Sequence, residues 1–241
     1  MMINLLLIFP IVATLLLVIL KNKWLNNATL IVYALMHFAL SCTYLVNPSL
    51  IEKTQYFAID STNFIFMMLL SIVFLAVAIY NNGYMRHSEA SARSLSHYSG
   101  MTLIFVMAIT GAILSNNLGL SWVFIEATTL ASAYLICFNK TKHSIEAAWK
   151  YVFICSIGIA LAFVGIILLT IATGSVNTLA FNDLYIHAQS FNHFWLKLSF
   201  VFILFGIGTK MGLAPVHFWL PDAHSEAPTP ISALLSAALL N

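Results

Sequence analysis

Residues 206–230 read GIGTKMGLAPVHFWLPDAHSEAPTP, which sets Lys210, His217, Asp222 and His224 inside an otherwise apolar sequence. Lysine and histidine take up and release protons, histidine near neutral pH and lysine when its surroundings tune it. The same stretch holds four of the six prolines and three of the ten glycines, Gly206, Gly208 and Gly212. A span needed only to cross a bilayer would carry neither. Pro215 has no N–H to donate and its ring crowds the carbonyl of Met211, so the sequence predicts that the helical ladder opens just after Lys210. Broken backbone at membrane depth is tolerated where it faces protein or water, and transporters build ion sites at such breaks.

A second ionisable group, Glu126, lies mid-way along LGLSWVFIEATTLASAYLICF. A bare carboxylate there costs roughly 2.5 to 3.5 kcal/mol on insertion scales, so it needs a partner or a proton. Helical spacing puts Trp122, Glu126, Thr129 and Ala133 on one stripe. The bland reading is polar glue between helices; ionisable groups at mid-span are functional by default, which favours a site. Lys210 is the expected partner of Glu126, against the alternative of a static ion pair that keeps two helices in register. Lys150 follows Glu146 by four residues, with Ser144 as a candidate N-cap. Its first reading is structural, a helix pair that snorkels at a membrane edge, and its second is proton entry. Gly158, Ala162 and Gly165 form a small-residue face suited to helix packing. His37 reads as a satisfied core residue.

Other chemistries are excluded. His217, Asp222 and His224 have no zinc-signature spacing and no cysteine beside them, so no metal is assigned. GIGTK lacks the spacing of a phosphate loop, and no strand precedes it. Cys42, Cys137 and Cys155 sit singly in apolar runs and read as packing residues. Nothing offers ligands for an iron–sulfur cluster, a flavin or nickel, so no cofactor is expected. A net charge of +2 gives no footing for nucleic acid.

The elements that must position these residues follow from composition. The chain is 61% hydrophobic and 7% charged, where a soluble domain carries about 25% charged residues. Its apolar runs approach the roughly 20 residues that cross a bilayer. The reading is all-α, a polytopic membrane bundle of about eight spans at 3–20, 28–46, 64–80, 101–114, 118–138, 147–173 and 196–220, with the eighth starting near Ile231 and truncated. The first run has no preceding Lys or Arg and no cleavage site after it, so it reads as a retained span. The fourth looks short and joins the fifth through only Ser115, Asn116 and Asn117. With alternating loops, one side receives Lys21, Lys23, Arg86, Arg93, Lys140 and Lys142, the other only Lys53 and Lys197. The positive-inside rule then puts the N-terminus outside, with 21–27, 81–100, 139–146 and the 222–228 turn cytoplasmic. Residues 81–100 read as a solvated connector or docking surface. Residues 174–193, with Phe181, Tyr185 and Phe191, read as an interfacial segment or a plain outer loop.

Three stretches, SWVFIEATTLASAYL, SIEAAWKYVFICSIGIALAFVGIILL and GTKMGLAPVHFWLPDAHSEAPTPISALLSAALLN, resemble the antiporter-like membrane subunits shared by respiratory complex I, multisubunit cation/proton antiporters and membrane-bound hydrogenases. The hydrogenase-4 and formate hydrogenlyase type looks closest. The similarity runs from about residue 60 to the end, and K-x-x-x-x-P-x-H-x-W-L-P-D-A-H is its most specific motif. The resemblance implies that Glu126 is the family's fifth-helix glutamate and Lys210 its seventh-helix lysine, the pair that gates a proton half-channel, with His217 and His224 in the broken-helix segment. It implies a two-helix segment at 1–60 and an antiporter-like proton-translocation domain at 61–241, an incomplete first repeat. The chain then reads as a proton-translocating subunit, or a fragment of one, in a bacterial or archaeal inner membrane. Its partners would be other membrane and peripheral subunits of a redox-driven complex, and it would have no catalytic chemistry of its own. The alternatives are a non-conducting structural anchor and a subunit of a sodium/proton antiporter.

Overall fold

The computed structural model describes residues 2–46, 54–86, 88, 90–176 and 178–239; Lys53 and Asn241, which figured in the topology and length expectations, lie outside them. The described residues form α1 (Met2–Leu20), α2 (Lys23–Val46), α3 (Ser61–Arg86), α4 (Ala92–Leu114), α5 (Leu118–Ile136), α6 (Lys142–Thr173), α7 (Phe181–His187), α8 (His193–Lys210), α9 (Trp219–Glu226) and α10 (Thr229–Leu234). Seven of these, α1 to α6 and α8, are long and apolar enough to cross a membrane. A shorter apolar helix follows from Thr229, ending in a π-turn over Leu235–Leu239. The expected polytopic helical bundle is what the chain forms.

The sequence expectation fails most clearly at 81–100. Helix α3 runs on to Arg86 and α4 starts at Ala92, so only 87–91 connect them and α4 has 23 residues. Judging by apolar runs misses these turns because their polar groups satisfy one another. The Tyr98 hydroxyl donates to Asn81 Oδ1 at 2.9 Å, and Asn27 Nδ2 to Asn82 Oδ1 at 2.9 Å. Thr14 Oγ1 donates to the Gly100 carbonyl at 3.1 Å, and Ser91 caps the first turn of α4. Far from being short, α4 is the most enclosed span, packed against α1, α2 and α5.

The tight α4–α5 hairpin is as expected. Asn117 caps α5 by accepting from Leu120 N at 3.1 Å, and lone bridge pairings tie Ser115 to Phe57 and Asn117 to Ala180. His37 is fully buried, its ring nitrogens 2.6 Å from Ser71 Oγ and 2.9 Å from Thr110 Oγ1, a satisfied core histidine. Residues 174–193 contain α7, which exposes Phe181, Tyr185 and Ile186.

The closest helix pair is α6 with α8. A Cβ added to Gly206 would lie 2.5 Å from both the Ala162 nitrogen and the Gly158 carbonyl oxygen, so the two backbones are in contact there. Ser199 Oγ donates to the Gly165 carbonyl at 2.7 Å on the same seam. Small residues allow this approach in a medium where apolar burial gives helices little reason to associate. The outer faces carry exposed Leu15, Trp149, Phe153 and Phe200, as lipid contact requires.

Candidate functional site

The helix break comes where the sequence predicts it, but Gly212 accounts for it more directly than Pro215. Helix α8 ends at Lys210, Gly212 takes φ 72°, and its N–H reaches the Thr209 carbonyl at 3.3 Å. Leu213 N donates to the Gly208 carbonyl at 2.9 Å. These two reversed bonds around a left-handed glycine are a Schellman closure, which ends a helix whatever follows. Pro215, three residues on, prevents the chain from resuming at once, and α9 starts at Trp219. Of the glycines read together as break residues, Gly206 instead forms the α6 seam, and Gly208 lies under the Leu213 side chain.

Ending the helix at Lys210 turns its side chain into the protein. The residue is 3% exposed. Its ammonium donates to Thr129 Oγ1 at 2.9 Å and to the Tyr151 hydroxyl. Tyr151 OH lies 2.7 Å from Ser132 Oγ, which also reaches the Thr128 carbonyl at 2.6 Å. The lysine therefore opens onto a string of hydroxyls shared by α5 and α6. Trp219 closes the other side: its indole N–H donates to the Thr209 carbonyl at 3.0 Å and its ring packs, tilted by 56°, with its centroid 4.9 Å from that of Tyr151. The Thr209 carbonyl, which already accepts from the Gly212 N–H, thus gains a second donor from the segment after the break. An apolar cavity of about 290 Å³ between α3, α4, α5 and α8 also reaches Lys210, past Leu70, Ile109 and Ile125.

Glu126 lies one turn before Thr129 on α5, yet it forms no ion pair with Lys210; it is near enough for the two charges to interact. Its Oε1 accepts from Ser156 Oγ at 3.3 Å, and its Oε2 is enclosed without a hydrogen-bond partner. Leaving a buried acceptor unpaired costs on the order of 1–3 kcal/mol, a cost that calls for a functional explanation. Trp122, on the same stripe, donates to the Ile159 carbonyl at 2.8 Å and fixes this face of α5 against α6.

Lys150 makes the expected pair with Glu146 at 2.8 Å and a second, equally short one with Asp222 at 2.9 Å. The N-cap of α6 is Thr141, one turn earlier than Ser144, whose N–H it accepts at 2.9 Å. Thr141 also donates to Glu226 at 3.4 Å, so polar contacts tether α9 to the first turns of α6 in addition to the Trp219–Tyr151 ring contact. His217 is exposed and its ring makes no hydrogen bond. His224 Nδ1 lies 2.9 Å from Ser232 Oγ, and partial burial holds its pKa below the ordinary histidine value. Neither imidazole bonds to Lys210. Tyr151 and Trp219 are the residues that sequence reasoning left out; Asp222 was read beside His217 and His224, not as the partner of Lys150. Depth and charge guided that reasoning, and an aromatic on an apolar helix carries no such signal.

The family described as NADH:quinone oxidoreductase/Mrp antiporter, TM, matches residues 115–241, more than half of the chain. A hydrogenase-4 component F homolog from Methylacidiphilum infernorum is 35% identical over 97% of this chain and 51% of its own length. A Na(+)/H(+) antiporter subunit A1 from Staphylococcus haemolyticus is 34% identical over 76% of this chain and 22% of its own. The chain thus spans about half the length of the hydrogenase relative and less of the antiporter one. In fold it is similar to a chain of the membrane-bound sulfane sulfur reductase, an archaeal respiratory membrane complex, with a TM-score of 0.86 at 24% identity over 99% of this chain and 50% of that one. A chain of respiratory complex I from Thermus thermophilus gives 0.81 at 21% identity over 100% and 51%.

Proposed function

The chain belongs to the family of antiporter-like membrane subunits found in NADH:quinone oxidoreductases and Mrp antiporters, and from that premise we propose that it carries protons across a membrane. Lys210 is the group that loads and releases the proton, and Glu126 is the carboxylate whose charge tunes it. Redox chemistry in partner subunits, of hydrogenase or NADH dehydrogenase type, drives the transfer. The translocating unit is residues 61–241, with α1 and α2 as a two-helix segment ahead of it, in a bacterial or archaeal inner membrane with the N-terminus outside.

What supports this reading is one observation: an enclosed ammonium at a helix break held by the neutral hydroxyls of Thr129 and Tyr151. A lysine kept only to fix helix register would be expected in contact with its carboxylate. Hydroxyls both donate and accept, so they hold the lysine in either protonation state and offer the proton an exit towards Ser132. Lys150, with Glu146 and Asp222, supplies charged groups at the basic end of the bundle where a proton could enter. His224 and His217 belong to the segment that follows the break.

The test is proton movement into sealed vesicles that contain the chain in its complex, followed with a pH-sensitive dye. Lys210→Met and Glu126→Gln should each lower it by about tenfold or more, the effect of roughly 1.4 kcal/mol on a barrier. Unchanged movement in both variants would remove the assignment. Because one relative is named a Na(+)/H(+) antiporter subunit, the assay is repeated with sodium replaced by potassium; loss of activity on replacement would make sodium the coupled ion.

A further inference from the structure

At the basic end of the bundle, well away from Lys210, α2, α3 and α4 line a cavity of about 190 Å³ in which Lys23, Arg86, Asn26, Asn27 and Ser99 stand beside the apolar Met85 and Leu95. Asn26 is 2% exposed, and neither its amide nitrogen nor its amide oxygen has a hydrogen-bond partner. A wholly unpaired buried amide is costly and rare. Lys23 and Arg86 stand exposed beside it and form no ion pair among the described residues. The cavity does not end there. A second hollow of about 430 Å³ shares Lys23, Asn27 and Arg86 with it and continues along Trp24, Ala28 and Ile31, one face of α2. Trp24 is 75% exposed, as suits a residue of the aromatic belt.

We infer that this is a binding site for an anionic phospholipid, its phosphate between Lys23 and Arg86 and above Asn26, and an acyl chain along Trp24, Ala28 and Ile31. The two cations meet the phosphate charge, and basic pockets between spans take such headgroups. The Asn26 amide then gains an acceptor for its N–H groups, and a glycerol hydroxyl can donate to its oxygen. No acidic side chain among the described residues lines either hollow, so none of these residues would hold the ammonium of a zwitterionic headgroup. A free phosphate would use the polar half and leave the apolar groove unexplained.

The full chain, purified in mild detergent, is titrated with phosphatidylglycerol or phosphatidylcholine, and bound lipid is counted by native mass spectrometry. Phosphatidylglycerol should be retained preferentially, and Lys23→Gln with Arg86→Gln should weaken retention by about fivefold for each lost cation. Lys140→Gln with Lys142→Gln should not. Asn26→Leu should weaken retention while leaving the lipid-free protein at least as resistant to heat, since it removes the unpaired amide. Equal retention of the two lipids, retention unaffected by the Lys23 and Arg86 changes, or displacement of phosphatidylglycerol by millimolar inorganic phosphate would each overturn the inference.

Discussion

Tyr151 is the side chain through which α5, α6, α8 and α9 meet. Its hydroxyl contacts Lys210 and Ser132 and its ring rests on Trp219. Tyr151→Phe keeps the ring and removes only the hydroxyl, so packing should survive while Lys210 is left with Thr129 as its one hydroxyl partner. The expected cost in stability is about 1–3 kcal/mol, that of a buried polar group losing a partner. If the hydroxyl passes the proton on, the vesicle assay should slow severalfold in Tyr151→Phe. A normal rate in a folded variant would make the tyrosine a packing residue only.

At the scale of elements, the decisive contact is the α6–α8 seam, because it fixes where the end of α8 delivers Lys210. Gly206→Ala would drive a methyl into the Ala162 nitrogen and the Gly158 carbonyl, backbone atoms that can yield only if the helices part. Overpacking of this kind costs typically about 1–3 kcal/mol. Gly83→Ala in α3 is the matching control, since nothing lies within 4 Å of its added Cβ, and helix propensity there favours alanine by about 1 kcal/mol. Thermal unfolding in detergent should therefore fall for Gly206→Ala and hold or rise for Gly83→Ala. Equal behaviour of the two would mean that α6 and α8 are not in backbone contact.

For the whole molecule, alternation of long spans separates two ends. The end of α3, the start of α4 and the start of α6 lie at one, and the end of α6 with residues 188–190 at the other. In a background lacking Cys42, Cys137 and Cys155, Ser91→Cys and Gln189→Cys should be modified by an impermeant reagent from opposite sides of sealed vesicles. Given the basic asymmetry, Ser91→Cys should be the cytoplasmic one. Modification of Ser91→Cys from outside intact cells would reverse the orientation.

Span number, the hairpin at 115–117 and the break after Lys210 were legible in the sequence, because each follows from local chemistry: apolar run length, a polar triplet, and glycine and proline at a helix end. The small-residue seam was legible too, since a helix face is a matter of spacing. The ends of α3 and α4 were not, because Asn81, Tyr98 and Gly100 look like loop residues until Tyr98 is seen meeting Asn81, and Gly100 meeting Thr14, across helices. Nor were the partners of Lys210. Residue types pointed to Glu126 as its counter-charge; only the packed arrangement of α5, α6 and α9 decides that Thr129 and Tyr151 hold the ammonium and that Lys150 reaches Asp222. Sequence sets which groups must be rescued from the bilayer, since the cost of burying them belongs to the residue. Which group does the rescuing depends on how helices distant in sequence align, and that is fixed only when their side chains pack.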